Sequence, residues 1–364
     1  MPRAPLRRGL LLPIGEIPVD SIHADPTISA SKKDLKTITS YNLLPKRTQT
    51  MIVPGTPAIW KPVTTPRKLK PDAGKYILDP NGLVFPKFAM EPLLRAIAVT
   101  QPRMKLNDVD LITDRRNLRL LLAFVSGQKK EFRINVEVVE STVFLSTWAP
   151  VKTNFVSKFE GYGHEFESVS TWKPRYIRDS IIHARSVGYT LGGIKMLLRF
   201  EVDACMPARK HSGGGVAPIE APTGIKVVNE GTLVGPSRIV EIKTGPVAKR
   251  LDFAKNMAQM WFSQTPFLCK GNYEADGTFL PAEERNVEKE GRLAKWEEDN
   301  KEKIQKLVRV LQKIFEVVRC VPHRCALVHE GDNTLKVYQD GNPGHRGIPE
   351  DLLAMWDIPA VKNG

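Results

Sequence analysis

Two pairs of charged residues stand two positions apart within apolar stretches of the sequence. Glu201 and Asp203 lie near the end of the apolar run at residues 196–204, and Glu241 and Lys243 alternate with β-branched residues farther along the chain. Side chains two positions apart on a β-strand project from the same face. We therefore expect each pair to lie on one face of a strand. Taken singly, each pair is more often an ordinary alternation on a solvated strand.

Carboxylates that converge inside a protein need a compensating cation. Buried like charges raise one another's pKa and destabilise the fold unless a cation lies between them. Glu201, Asp203 and Glu241 converging on one sheet therefore predict a metal site, and ligation by oxygen alone favours Mg²⁺ or Mn²⁺ over zinc. Lys243 would orient and help to ionise an attacking water, or stabilise charge that grows on a phosphate oxygen. This combination predicts metal-dependent phosphodiester chemistry.

The order of these elements is more informative than either pair. An apolar strand with E-x-D, a loop, an apolar strand with E-x-K and then a helix resemble the layout of PD-(D/E)XK nucleases. The helix is predicted at residues 252–264, and Gln264 at its end would reach the metal site. The predicted fold is α/β (α+β mixed), with a PD-(D/E)XK-like central mixed sheet flanked by helices and an additional antiparallel sheet.

Five ordered blocks of the sequence resemble the decapping exoribonuclease family of DXO/Rai-type 5′-end RNA hydrolases. Four are similar to the family's G-Y-K-F-E, E-x-D, V-E-L-K-T and W-W-x-Q motifs; they are G-H-E-F-E at 163–167, F-E-V-D at 200–203, V-E-I-K-T at 240–244 and M-W-F-S-Q at 260–264. The fifth, D-R-R-N-L at 114–118, resembles the block whose arginine contacts the RNA 5′ end. The resemblance extends over residues 76–356 and identifies the chain as a divergent fungal-type member.

The resemblance implies a role for each matching residue. Metal would be held, directly or through water, by Glu167, Glu201, Asp203 and Glu241, with the backbone carbonyl of Ile242 as a further ligand. Lys243 and Gln264 would position the nucleophilic water and the scissile phosphate. Arg115 would bind a 5′-terminal phosphate or cap, since a guanidinium makes charge-assisted contacts to phosphate.

The resemblance also implies several activities on RNA 5′ ends. They are the removal of incomplete or NAD-type caps, pyrophosphate release from triphosphate ends, and 5′-to-3′ exonuclease action. Two other classes stay open. A PD-(D/E)XK DNA nuclease would keep the metal residues, and a non-catalytic protein would stabilise a 5′-to-3′ exoribonuclease as its partner.

Composition and charge divide the chain unevenly. The 364 residues carry a net charge of +14, which indicates a polyanionic partner. Residues 1–75 contain 13 Lys and Arg against 5 Asp and Glu, together with 11 of the 28 prolines. A basic, proline-rich segment without periodicity buries too little apolar surface to offset its ordering entropy. We therefore predict an extended or disordered segment at 1–70, which strengthens RNA binding through phosphate contacts, and a single catalytic domain at 71–364.

The apolar run near the N-terminus is too short for a signal sequence or a membrane span, so the protein is predicted to be intracellular, nuclear or cytoplasmic, without membrane contact.

The cysteines contain no C-x-x-C pair and are expected to be reduced. Cys320, His323 and Cys325 suggest zinc, but their spacing is irregular and a fourth ligand is missing. Ordinary buried thiols are the preferred interpretation.

Hydrophobic periodicity predicts the elements that surround the site. Helices are expected at 88–99, 155–172 and 304–318, the second of them carrying Glu167. Strands are expected at 110–113, 132–138 and 142–145, which together would form an antiparallel sheet. Residues 206–237 are rich in glycine and proline and are predicted to form a loop.

Overall fold

The structure, a computed structural model, describes residues 6–156, 161–208, 218–248, 253–321, 324–341 and 347–358. Within these residues the first eleven strands are β1 (Leu10–Pro18), β2 (Lys32–Leu43), β3 (Thr50–Gly55), β4 (Ile59–Trp60), β5 (Arg67–Lys68), β6 (Gly74–Ile77), β7 (Leu111–Asp114), β8 (Phe132–Val139), β9 (Thr142–Thr147), β10 (Thr153–Val156) and β11 (Thr171–Trp172). The later strands are β12 (Ile182–Leu191), β13 (Ile194–Glu201), β14 (Ala204–Cys205), β15 (Ile219–Glu220), β16 (Lys226–Gly231), β17 (Ile239–Pro246), β18 (Phe267–Tyr273), β19 (Thr278–Phe279), β20 (Glu283–Asn286), β21 (Cys325–His329) and β22 (Thr334–Asp340).

The α-helices of the described residues are α1 (Pro80–Val84), α2 (Glu91–Thr100), α3 (Arg115–Val125), α4 (Gly163–Val169), α5 (Phe253–Ser263), α6 (Arg292–Asp299) and α7 (Lys301–Val318). Helices α2 and α7 confirm the predicted apolar periodicity, since predicted core residues such as Leu93 and Leu311 are fully buried. In the part of the chain described here, no helix combines the length and the apolar character that crossing a membrane requires.

Two large mixed sheets form the molecule. The twelve-stranded sheet has the order β1-β22-β21-β8-β9-β7-β13-β12-β2-β3-β16-β15. The eight-stranded sheet has the order β11-β4-β14-β17-β18-β19-β5, and β20 pairs with β18. Strands β6 and β10 form a separate antiparallel pair. The prediction of a mixed α/β fold is confirmed.

Helices cover both faces of the twelve-stranded sheet because its central strands are apolar on both sides. On β7, Leu111 packs with residues of α3, α5, α6 and α7, whereas Ile112 packs with α2 and with residues near the C-terminus such as Trp356. Leu198 and Leu197 on β13 divide in the same way. Strands buried on both faces are typical of parallel or mixed sheets with helices on each side.

The predicted extended or disordered segment at 1–70 is wrong for most of its length. Strand β2 lies between β12 and β3 inside the twelve-stranded sheet, and β1 pairs with β22. Ile38, Tyr41 and Leu43 on β2 are fully buried. The average composition of the segment concealed an apolar stretch, and a proline such as Pro45 lies between strands, where the missing N–H removes no ladder hydrogen bond.

Three further predictions need correction. Strand β7 pairs in parallel with β9 and with β13, because the chain passes through α3 before it enters β8, so only β8 and β9 form the expected antiparallel pair. The predicted helix at 155–172 is instead the end of β10 and the short helix α4, while residues 157–160 lie outside the described residues. The predicted loop at 206–237 contains β15 and β16, and its glycines at 213–215 are also outside the described residues.

Candidate active site

The E-x-D pair lies where the chain passes from one large sheet to the other. Glu201 is the last residue of β13 in the twelve-stranded sheet, and Ala204 begins β14 in the eight-stranded sheet. Asp203 lies in the crossing, where its Oδ2 accepts a 2.7 Å hydrogen bond from the backbone N–H of Ile242. The carboxylates are therefore held at a corner between two sheets, which corrects the prediction that they share one face of a single strand.

Strand β17 brings the E-x-K pair to the same corner. Its alternate residues Val240 and Ile242 pack into the core of the eight-stranded sheet, so Glu241 and Lys243 project from the other face. Lys243 Nζ contacts Glu241 Oε1 and donates a 3.1 Å hydrogen bond to the carbonyl of Ile242. Only 4% of Glu241 is exposed, so its charge is compensated by these neighbours and not by solvent.

Helix α4 contributes the fourth carboxylate, Glu167. The first turn of α4 is fixed by Asp72, whose oxygens accept the backbone N–H groups of His164 at 3.1 Å and Glu165 at 2.9 Å. Phe166 anchors the helix in the core, where its ring stacks 4.8 Å from that of Phe279. These contacts hold Glu167 at a cleft of about 330 Å³ that Glu201 and Asp203 also line.

The pKa values of the four carboxyl groups differ because the groups have different neighbours and different burial. Burial raises the pKa of Glu167 to about 8, of Glu201 to about 7 and of Asp203 to about 6. Repulsion adds to burial, since Asp203 acts on the first two and Glu241 acts on Asp203. Burial would also raise the pKa of Glu241, but the charges of Lys243 and Arg115 outweigh it and lower that pKa. The three carboxyl groups that line the cleft thus retain protons more readily than ordinary carboxyl groups, whereas the charge of Glu241 is compensated by its neighbours.

Arg115 is the first residue of α3 and joins the cluster from the helix N-terminus. Its Nη1 lies 3.3 Å from Glu241 Oε2 and 3.1 Å from Ser263 Oγ, and its guanidinium lies 5.5 Å from the ring centre of Phe200. The preceding residue, Asp114, receives a 2.7 Å hydrogen bond from the buried Arg199 on β13. This second ion pair, which the sequence analysis missed, ties the start of α3 to the strand that carries Glu201.

The predicted role of Gln264 does not agree with its position. Helix α5 ends at Ser263, and Gln264 follows in a left-handed conformation with φ of 51°. Its Oε1 accepts a 2.9 Å hydrogen bond from Lys32, and its Nε2 donates to Glu288, away from the carboxylates. The cluster is instead contacted by Gln259, whose Nε2 donates to Glu241 Oε1.

Helical spacing could have indicated Gln259. Residues four apart lie on the same face of a helix, so Gln259 and Ser263 share the face that meets Glu241 and Arg115. The predicted motif at 260–264 matched the glutamine one residue past the helix end, where the chain turns away.

The donor chemistry of the cluster fits a divalent cation, because all candidate ligands are oxygens and three of the carboxyl groups have a raised pKa. In the arrangement the structure describes, however, no group of three or more His, Cys, Asp or Glu side chains is placed to hold a metal ion. Both oxygens of Glu241 are already engaged by Arg115, Lys243 and Gln259.

Among the described residues, none of the four cysteines forms a disulfide. Cys205, Cys269 and Cys325 are buried, and burial raises the pKa of each of these three thiols. Cys320 is exposed, and His323 lies outside the described residues, so the zinc hypothesis receives no support from their placement.

The fold is that of the Rai1 and Dxo1 proteins, which confirms the family resemblance at the level of structure. The Rai1 of Candida albicans, solved with pU5 and Mn²⁺, is 12% identical with a TM-score of 0.61, over 94% of this chain and 98% of that chain. The Rai1 of S. pombe is 13% identical with a TM-score of 0.58, over 89% and 99% of the two chains. The Rai1 of Scheffersomyces stipitis, solved with (3′-NADP)⁺ and a calcium ion, is 15% identical with a TM-score of 0.58, over 94% and 99%.

The chain belongs to the family described as "Domain of unknown function (DUF8563)", whose model matches residues 17–356. No curated protein matches the sequence. The matched span begins at the end of β1, so it includes β2 and the strands that follow it as well as the acidic cluster.

Proposed function

We propose that the protein hydrolyses RNA 5′ ends in a reaction that depends on a divalent cation, Mg²⁺ or Mn²⁺. The observation that carries this proposal is the placement of Glu167, Glu201 and Asp203 on one cleft. The ion pair of Glu241 and Lys243 is joined to them through the hydrogen bond between Asp203 and the backbone of Ile242. The elements that bring these residues together, an E-x-D segment, an E-x-K strand and a helix, support a PD-(D/E)XK-type nuclease site.

The likeness in fold supports the same proposal. The solved Rai1 of Candida albicans is in complex with pU5 and Mn²⁺, and the Dxo1 of K. lactis is in complex with manganese. Removal of incomplete or NAD-type caps, pyrophosphate release and 5′-to-3′ exonuclease action are the activities we propose, in the nucleus or cytoplasm.

The residues of the cluster would have two different roles, cation binding and stabilisation of the phosphate. Glu167, Glu201, Asp203 and Glu241, with the carbonyl of Ile242, would hold the cation, which when bound activates water and neutralises charge on the phosphate. Lys243 places an ammonium group beside Glu241, where it stabilises negative charge on the phosphate in the transition state.

Two further side chains complete the site. Arg115 would receive the 5′-terminal phosphate or cap. Gln259 orients Glu241 through its amide hydrogen bond, the kind of outer contact that commonly tunes a metal ligand.

A second candidate is a non-catalytic partner that stabilises a 5′-to-3′ exoribonuclease. The observation that favours it is the engagement of both Glu241 oxygens by Arg115, Lys243 and Gln259. In such a protein the cluster would be a neutralised structural network that does not need a cation.

The two candidates differ in a direct assay. The purified protein is incubated with Mg²⁺ or Mn²⁺ and RNAs that differ only at the 5′ end, beside matched single-stranded DNA. We expect cation-dependent hydrolysis of RNA that is lost in Asp203→Asn and retained in Asp299→Asn, an exposed carboxylate on α6. A folded protein that cleaves no RNA but stabilises an exoribonuclease would support the second candidate. Cleavage of the single-stranded DNA at the same rate as the RNA would contradict both candidates and would indicate a DNA nuclease.

A further inference from the structure

Two aromatic rings form a stacked pair on the wall of the cleft. The ring centres of Tyr76 and His164 are 4.2 Å apart, and the ring planes differ by 16°. Both residues line the cleft that also contains Glu167, Glu201 and Asp203. His164 stays exposed although Tyr76 covers one face of its ring, so aromatic surface remains open to the cleft.

The pair is held in place by contacts on both sides. The backbone of His164 is fixed at the start of α4 by its N–H donation to Asp72, which is only 1% exposed. Tyr76 lies on β6, which pairs with β10, and its hydroxyl donates a 3.1 Å hydrogen bond to the carbonyl of Ala73. A surface that is ordered before its ligand arrives loses little conformational entropy on binding.

The pair is also close to the acidic cluster. His164 and Glu167 are three residues apart on α4, and side chains at this spacing are neighbours on one helix face, with Cβ atoms about 5–6 Å apart. A flat group stacked on His164 would therefore lie no farther from Glu167 than the length of one nucleotide. Apolar residues such as Ile77, Pro80 and Ile181 line the same cleft and would exclude water from a flat ligand.

We propose that Tyr76 and His164 form a stacking platform for the base of the first nucleotide, whose phosphate is directed to the acidic cluster. This inference rests on the proposed function, because it assumes that a nucleic-acid end enters the cleft. Every base has a π face, so stacking on aromatic side chains binds a base without reading its identity. The platform would position the end of a single strand, whereas Arg115 would hold its phosphate.

Binding measured without catalysis tests the platform. A 5′-monophosphate RNA is compared with the same RNA carrying an abasic first nucleotide, by fluorescence anisotropy with a chelator present. We expect the wild type to prefer the base-containing end by about 5- to 160-fold, the range that one base–aromatic stack provides. An RNA with an abasic sixth nucleotide is the control within the strand and should bind as the intact RNA does.

Variants separate stacking from packing. His164→Ala should lose the preference for the base, and His164→Phe, which keeps a flat ring, should retain it. Trp172→Ala removes an exposed aromatic residue that does not line the cleft, so it should leave the preference unchanged. Thermal unfolding of each variant identifies a loss of fold, which would lower binding of the intact and abasic RNAs alike.

The outcomes also distinguish this inference from the proposed function. A wild-type protein that binds the abasic end as tightly as the intact end would overturn the platform, whether or not it cleaves RNA. A loss of preference in His164→Phe equal to that in His164→Ala would overturn stacking as the reason. A base preference that depends on His164 in a protein that cleaves no RNA would keep the platform and reject hydrolysis.

Discussion

Arg115 and Glu241 form an ion pair inside the acidic cluster, with Arg115 Nη1 3.3 Å from Glu241 Oε2. The two side chains are only 14% and 5% exposed, so solvent screens the pair weakly. Within the described residues, the hydrogen bonds of Arg115 are made by Nη1 alone. A guanidinium has five N–H donors in a planar fork. Arg115 can therefore keep Glu241 and offer its remaining donors to a phosphate.

Replacement of Arg115 is predicted to weaken activity selectively on phosphorylated or capped RNA ends. A charge-assisted hydrogen bond contributes about 1.5–3 kcal/mol, so Arg115→Ala should reduce kcat/KM on these ends by about 10- to 160-fold. An end with a 5′-hydroxyl should lose less. Rates on 5′-hydroxyl, monophosphate, triphosphate and capped versions of one RNA measure the effect.

Arg116 provides the matched control for this prediction, because it is the next residue on α3 and is exposed. Arg116→Ala should leave the ranking of the four RNA ends unchanged. Equal losses on every end in Arg115→Ala would remove Arg115 from 5′-end recognition and leave it with the ion pair alone.

The raised pKa of Glu201 predicts how stability depends on pH in the absence of metal. The folded pKa of about 7 exceeds the ordinary value of 4.5, so the folded protein binds more protons than the unfolded chain between these values. The stabilising contribution is complete below about pH 4.5 and is lost as the pH rises through 7. The Tm of the wild type should therefore fall relative to that of Glu201→Gln across this range.

Addition of a divalent cation should reverse this difference if the carboxylates bind it. At pH 7.5 we expect Mn²⁺ to raise the Tm of the wild type and to raise that of Glu201→Gln less, because binding to the folded state stabilises by mass action. Activity should be lost in Glu201→Gln at every pH. A Tm difference that does not change with pH would show that burial does not hold a proton on this carboxyl group.

Gln259 is predicted to matter for activity, and Gln264 is predicted not to. Gln259→Ala removes the amide hydrogen bond to Glu241, and loss of such an outer contact typically lowers activity or metal affinity by about 10- to 100-fold. Gln264→Ala removes contacts to Lys32 and Glu288, which lie apart from the carboxylates. Steady-state kinetics of the two variants on one RNA compare them directly. The opposite ranking would restore the assignment made from the sequence.

The face of β17 that carries Glu241 could be predicted from the sequence, because the alternation of apolar and charged residues there is local. The side on which Glu241 projects follows once β17 is a strand with one buried face. That property can be read from the neighbouring residues alone. The position of Asp203 is not local. The chain leaves one sheet after Glu201 and enters another at Ala204, and only the tertiary structure determines where a strand ends.

The direction of the Gln264 side chain could not be predicted from the motif at 260–264, because it depends on where helix α5 ends. One residue beyond Ser263 the backbone is left-handed, and Gln264 faces Lys32. The ion pair between Asp114 and Arg199 was missed for a different reason. Its partners are 85 residues apart in sequence, and β7 and β13 bring them together only by pairing in parallel.

The N-terminal segment shows the limit of composition as a guide. Its net charge and prolines are those of a disordered chain, yet β2 lies inside the twelve-stranded sheet, between β12 and β3. Lys33 and Lys36 near the beginning of β2 are exposed, and the apolar residues Ile38, Tyr41 and Leu43 that follow are buried, so one strand has a solvent-exposed part and a core part. An average over 70 residues cannot separate the two.

The last prediction concerns the basic residues of this segment. Deletion of residues 1–70 should prevent folding, because it removes β2 from between β12 and β3 and exposes their backbone groups. Circular dichroism and thermal unfolding test this outcome. A folded, cooperative deletion variant would contradict the placement of β2.

The contribution of charge must therefore be tested with substitutions that leave the strands in place. Lys61 and Arg67 are exposed, and Lys61 directly follows β4, three residues after Ala58, which lines the cleft. If each contacts a phosphate of single-stranded RNA, the double variant Lys61→Gln/Arg67→Gln should flatten the dependence of log affinity on log salt concentration by about 1.4. The control variant Lys301→Gln/Arg309→Gln removes two exposed charges on α7 and should leave the slope unchanged. Equal slopes for the wild type and the first variant would show that these two charges do not contact the RNA.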